Sequence, residues 1–192
     1  KTNTRDHLER LLEHISDNVI RRQDNKIYVN GGSDKILNSF SITVPGDISS
    51  ASYLIALSIL IGGSNLVIRG VSVNKYRTGF IDTLISMGAN IKIKNRQVLY
   101  NESVGDIFIN SDGKLNPCIV GRQAVVRMID EIPILSLICA HVEGKSEISG
   151  IEELKYKESD RLRGIFDILS CMGVDVKSDG KDSLIIKGQN KL

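Results

Sequence analysis

The apolar residues of this chain change their spacing in a repeating order. Between Gly79 and Gly88 they fall at Ile81, Leu84 and Ile85, the three-to-four-residue period of a helix with one buried face. From Ala89 to Ile93 they alternate with polar residues, as in a half-buried strand. The same succession returns with Phe166 and Leu169 at helical spacing and Val174 to Val176 alternating. Laid over each other without a gap, residues 79–92 and 164–177 share Gly, Asp, Leu, Met, Gly and Lys in register. Each copy places a glycine, Gly88 or Gly173, where a helix ends in the left-handed conformation.

A second matching unit precedes each copy. Ser50 to Ile61 and Ile129 to Val142 are apolar helix candidates, each followed by a strand bounded by glycines, Gly63–Gly70 and Gly144–Gly150. Leading strands are expected near Ser41–Val44 and Asp106–Ile109, which makes the pattern a βαβαββ unit written twice, an α/β (α+β) chain. A partial third copy opens the sequence, with a helix over Leu8–Ile15 and strands at Val19–Ile20 and Lys26–Val29. Its helix ends at Ser16 instead of glycine, so a less comfortable turn is expected there. Ile55–Ile61 and Ile132–Cys139 are apolar enough to predict helices buried on nearly every side, with several units packed around them. Asn30 to Phe40 reads as a linker between the partial copy and the complete ones.

Composition narrows the function classes. With 41% hydrophobic and 25% charged residues among 192, the chain has material for a core and is not intrinsically disordered. Its 25 Lys and Arg against 23 Asp and Glu leave a formal charge of +2, scattered and not gathered into a stripe, which speaks against nucleic acid as partner. Aromatics at 5%, with no Trp, offer no base-stacking platform. Cys118, Cys139 and Cys171 lie far apart with no CxxC pair, so no zinc or redox motif is expected; Cys139 and Cys171 read as buried hydrophobes. The absence of a disulfide framework, a signal peptide and a membrane-spanning apolar run predicts a soluble cytoplasmic protein with no membrane partner.

Four segments carry candidate chemistry, each with an ordinary structural reading beside it. Val44-Pro45-Gly46-Asp47-Ile48-Ser49-Ser50-Ala51 suits a capped helix start, with Asp47 or a following serine as cap, or a phosphate site at that start. Asp130-Glu131 opens an otherwise apolar helix with Pro133 in its first turn; this is cap chemistry or a functional carboxylate at a buried place. Lys155 to Arg163 is a charged helix start with Ser159 as cap and a Glu158–Arg161 pair, or a cationic site. Thr4-Arg5-Asp6-His7 says little by itself.

Taken in order, Thr-Arg-Asp-His-x-Glu, Val-Pro-Gly-Asp-x-Ser-Ser-Ala, Asp-Glu-Ile-Pro and Lys-Glu-Ser-Asp-Arg on βαβαββ repeats resemble the 5-enolpyruvylshikimate-3-phosphate synthase family. The resemblance runs along almost the whole chain, and the Lys157–Arg161 string with Asp130 upstream is its most specific part. It implies the inside-out α/β barrel of the enolpyruvyl transferases and about two and a half of that family's six repeats. It implies transfer of the enolpyruvyl group of phosphoenolpyruvate to the 5-hydroxyl of shikimate 3-phosphate, with no metal and no organic cofactor. Residue by residue, it makes Asp130 the general base, Lys157 a contact to shikimate 3-phosphate and proton carrier, and Glu158 an acid/base near the methylene carbon. Arg161 would fork onto phosphoenolpyruvate, and Thr4 and Arg5 would hold shikimate 3-phosphate.

The resemblance also implies boundaries: residues 1–44 as the end of one domain's last repeat, 45–118 and 119–192 as two repeats of a second domain. The crossover near Val44–Asp47 corresponds to a hinge whose closure completes the site. The family's N-terminal Lys-Ser…Arg clamp, its Asn-Ala-Gly-Thr loop, its Ser-Ser-Gln segment and its downstream Arg and Lys have no counterpart here, so this chain alone is expected to be inactive. Two other readings stay open: a UDP-N-acetylglucosamine enolpyruvyl transferase relative, and a non-catalytic repeat module whose open flank drives self-association.

Overall fold

The computed structural model describes residues 5–16, 19–24, 26–31 and 38–189, so Thr4 and most of the linker lie outside the described residues. The first piece is a helix, α1 (His7–Ile15), followed by an antiparallel hairpin of β1 (Ile20–Gln23) and β2 (Lys26–Val29). At Ser16, where an uncomfortable turn is expected, the backbone is unstrained, and residues 17 and 18 lie outside the described residues. Ser16 has φ −159° and ψ 135°, ordinary extended backbone, so the chain leaves the helix without needing glycine.

The first complete unit contains α2 (Ile48–Leu60), β3 (Asn65–Ser72), α3 (Gly79–Ser86), β4 (Ile91–Leu99) and β5 (Glu102–Asn110). Its strands form an antiparallel sheet in the order β3-β5-β4. The second unit runs β6 (Ile119–Val120), α4 (Arg122–Val125), a 3-10 turn over Ile129–Glu131, and α5 (Ile132–Ala140). It continues with β7 (Gly144–Ser149), a 3-10 turn over Glu152–Tyr156, α6 (Arg161–Cys171), β8 (Asp175–Ser178) and β9 (Ser183–Gly188). Its sheet has the order β6-β7-β9-β8, with β6 parallel to β7. Gly46 makes the same parallel step onto Val71 of β3, through bonds of 2.8 Å to the Gly70 carbonyl and 2.9 Å from the Ser72 amide. The two units therefore share one topology.

The leading strands differ from expectation. Gly46 and Ile119–Val120 hold those places, whereas Asp106–Ile109 belongs to β5, paired on both sides at the centre of the first sheet. Alternation marks a strand with one buried face but not whether it opens or closes a unit. The glycine-terminated helices form as their sequence predicts. Gly88 (φ 104°) and Gly173 (φ 78°) turn left-handed, and the Ala89 and Val174 amides reach back to Leu84 and Leu169 at 2.9 and 3.0 Å.

One core runs through both units, with α5 against α2, α6 and β9. α5 is buried nearly all round, as its composition predicts, but α2 is not: Tyr53, Leu54, Leu57 and Ile61 are each more than half exposed. A uniformly apolar helix carries no mark of which neighbours are present, and among the described residues nothing covers that side of α2. Cys171 also departs from its reading, lying exposed on α6 while Cys118 and Cys139 are buried. No helix among the described residues is long and apolar enough to cross a membrane.

Candidate active site

Asp130 sits in the 3-10 turn just before α5, where Pro133 occupies the first helical turn without sacrificing a hydrogen bond. Three cations from two other segments converge on it. Arg5 donates to its Oδ2, while Arg161 Nη1 and Lys157 Nζ lie 3.4 and 3.7 Å from its Oδ1. The second 3-10 turn delivers Lys157, and the first residue of α6 is Arg161. Asp160 caps α6 through the Arg163 amide at 2.9 Å; the cap is Asp160, not Ser159, because the helix begins one residue later, at Arg161. Arg161 also donates to Glu158 at 2.6 Å and Lys157 to Glu153 at 2.9 Å. Glu158 is otherwise open to solvent, and its own backbone amide and Arg161 hold its carboxyl below the usual range.

The neighbouring residue, Glu131, faces the other way and is 1% exposed. It accepts a hydrogen bond from Ser49 at the start of α2, and Arg77 donates to that same Ser49 oxygen at 2.5 Å. Arg77 also lies 3.6 Å from Glu131 and 4.0 Å from Asp47. Burial pushes the Glu131 carboxyl up, against the opposing pull of Ser49 and Arg77, and its Oε2 has no hydrogen-bond partner among the described residues. Asp47 does what a cap does, accepting from the Ser49 and Ser50 amides and the Ser50 hydroxyl; burial raises its carboxyl, and these bonds bring it below the ordinary value. The adjacent acids thus split their work: Asp130 gathers three cations, and Glu131 ties the second unit to the first.

Three consecutive residues fasten the start of α1 to three separate places. Arg5 meets Asp130, Asp6 accepts from Asn74 at 2.7 Å, and His7 pairs with Glu102 at 2.9 Å. Asp6 is buried and also accepts from Arg10 at 2.9 Å and Arg22 at 3.3 Å. Burial raises its carboxyl, but these three donors outweigh it and hold the group at about 2. Arg5 itself adopts φ 51°, a conformation that costs a side-chain-bearing residue energy. Beside this junction a cleft of about 320 Å³, lined by His7, Leu11, Val44, Asp47, Arg77 and Glu102, opens under the crossover. Another of about 580 Å³ has Arg122, Ile129, Glu153 and Tyr156 in its wall, and Ile129 and Tyr156 are the chain neighbours of Asp130 and Lys157.

Of the residues singled out in the sequence, Arg5, Asp130, Lys157, Glu158 and Arg161 come together, and Thr4 lies outside the described residues. Sequence reasoning passed over Arg77 and missed the pairing of Ser49 with Glu131. A signal for Arg77 exists: Lys75-Tyr76-Arg77 and Lys155-Tyr156-Lys157 are the same tripeptide pattern in the loop after β3 and after β7. Each sends its third residue to one member of the acidic pair. The stretch from Glu158 onward lengthens the second loop, which hides the match from an overlay without gaps.

The chain superposes on the EPSP synthase of Acinetobacter baumannii with a TM-score of 0.87 and 35% identity, over 98% of this chain and 42% of that one. It also matches the enolpyruvyl transferase NikO of Streptomyces tendae at a TM-score of 0.65 and 18% identity, a likeness of fold, over 94% of this chain and 38% of that one. The repeated βαβαββ units therefore have the architecture of the enolpyruvyl transferases. The family model for EPSP synthase (3-phosphoshikimate 1-carboxyvinyltransferase) matches residues 2–192, and the chain belongs to that family. Among curated relatives, 3-phosphoshikimate 1-carboxyvinyltransferase of Thermodesulfovibrio yellowstonii is 39% identical over 98% of this chain and 43% of its own length. That of Oceanobacillus iheyensis is 37% identical over 100% of this chain and 44% of its own. The chain spans less than half the length of the relatives it matches.

Proposed function

We propose that this chain carries part of the active site of a cytoplasmic 3-phosphoshikimate 1-carboxyvinyltransferase, which moves the enolpyruvyl group of phosphoenolpyruvate onto the 5-hydroxyl of shikimate 3-phosphate. The observation that carries the reading is the meeting of Arg5, Lys157 and Arg161 on Asp130. Both substrates are polyanions and repel each other, so cations from separate segments must hold them side by side. Asp130 accepts the hydroxyl proton as the oxygen attacks the second carbon of phosphoenolpyruvate, and Glu158 protonates the methylene carbon. Loss of phosphate and of a methyl proton from the tetrahedral adduct gives the product. Lys157 stands at the attacking hydroxyl, Arg161 forks onto phosphoenolpyruvate, and Thr4 and Arg5 hold shikimate 3-phosphate; no metal or organic cofactor enters. Residues 1–44 close one domain, and 45–118 and 119–192 are successive repeats of the next.

Asp130→Ala and Arg161→Ala in a chain of the relatives' full length test the assignment. Each is expected to lower turnover by about 100-fold or more, the usual worth of a positioned base or a charge clamp. Near-normal turnover in both rejects it.

A further inference from the structure

Cys118 and Cys139 are 21 positions apart in sequence, yet their sulfurs lie 3.6 Å from each other in the core. Cys118 immediately precedes β6, and Cys139 is in the last turn of α5, so the contact joins the edge strand of the second sheet to the buried helix. We propose that this pair is an oxidation site, at which hydrogen peroxide converts the two thiols into an intrachain disulfide. The contact meets the first requirement, since the two sulfurs are already neighbours. The second requirement is a route for the oxidant. A cleft of about 490 Å³, lined by Asn116, Pro117, His141 and Val142, opens between the two segments that bear the cysteines. Cys118, which follows Pro117, keeps 7% of its surface exposed, whereas Cys139 keeps none.

The pair is also polarised. The hydrogen bond between the two sulfurs holds the Cys118 thiol below its ordinary value, against the effect of burial, while that bond and burial hold Cys139 above its own. Cys118 is the attacking sulfur because it is the one of the two that keeps surface open to the oxidant. Its thiolate takes an oxygen from the peroxide; the O–O bond breaks, hydroxide leaves and is protonated to water, and Cys118 becomes a sulfenic acid. The Cys139 sulfur then attacks the Cys118 sulfur; the S–O bond breaks, and the hydroxyl departs as water with the Cys139 proton. Peroxide supplies the oxidising equivalents, and each sulfur gives up one electron. The bond encloses α4 and the 3-10 turn that presents Asp130 and Glu131, so oxidation staples the segment that holds the acidic pair.

Cys171, exposed on α6, provides an internal control. The test treats the chain, as wild type and as Cys171→Ser, with graded hydrogen peroxide, then unfolds it, alkylates the remaining thiols and maps the peptides by mass spectrometry. The expected result is loss of both buried thiols in the monomer, a linked Cys118–Cys139 peptide, and an apparent Tm raised by several degrees. Cys139→Ser is expected to stop at a sulfenic acid on Cys118 that dimedone traps, and Cys118→Ser to give no adduct at Cys139. Recovery of Cys118 and Cys139 as free thiols while Cys171 is consumed overturns the proposal, as does a sulfenic acid at Cys118 that persists with Cys139 present. Should either serine variant fail to fold, the wild-type peptide map decides alone.

Discussion

Glu131 and Asp6 are both buried carboxyls, and their surroundings push them in opposite directions. Asp6 has three donors, so its ionised form is favoured in the folded chain. Because its folded value is depressed to about 2, its contribution is present above the unfolded value near 4 and is lost as pH falls below it. After allowance for solvent screening of its partly exposed arginine partners, that contribution is about 1 kcal/mol. Urea unfolding between about pH 5 and 2 checks it: Asp6→Asn should flatten the acid limb. Glu131 behaves the other way, since a raised carboxyl favours the protonated form and costs stability as pH rises through its folded value. Glu131→Gln keeps an acceptor for Ser49 and is expected to fold with little loss at neutral pH. Glu131→Ala strands Ser49 and Arg77 and should lose about 1–3 kcal/mol in the same assay. None of this division was legible in the sequence, where Asp130 and Glu131 are simply neighbours; it follows from a one-residue rotation at a turn.

At the scale of elements the sequence was more open. Helix-period spacing ended by Gly88 and Gly173 predicted α3 and α6 and their left-handed ends, because those signals are local. The order of strands in each sheet is not local: alternation at Asp106–Ile109 predicts a strand, but only pairing with both β3 and β4 puts it at the centre of its sheet. The site follows the same rule. Lys157, Glu158 and Arg161 are close in sequence and stood out together, whereas Arg77 reaches the acidic pair from another repeat. The duplication of the Lys-Tyr-cation loop makes a sharp expectation for these two elements. Arg77→Ala should lower stability by about 1–3 kcal/mol, because it leaves Glu131 buried without its cation. Lys157→Ala, at a more exposed pair, should cost less than about 1 kcal/mol in urea unfolding while weakening binding of shikimate 3-phosphate to a full-length chain.

For the molecule as a whole, two outcomes are expected of the 192 residues by themselves. Phosphate release from phosphoenolpyruvate and shikimate 3-phosphate should be at background, since a site for two polyanions needs more cations than Arg5, Lys157 and Arg161 supply. Release at an ordinary enzymatic rate contradicts this. The open side of α2, with Tyr53 and Leu57, continues into Ile134, Leu137 and Ile168 around an apolar hollow of about 200 Å³. Such a surface favours association, so sedimentation should show mass rising with concentration, and Leu57→Lys should return the chain to monomer. The start of α1 bears on motion in the whole. Because neighbouring side chains clasp a strand, a loop and a 3-10 turn, a swing of that helix pulls on all three and on the left-handed Arg5 together. Any hinge at this junction must then behave as a snap fastener, shut or open as a unit, and the release of a single acid would be felt at all three places together.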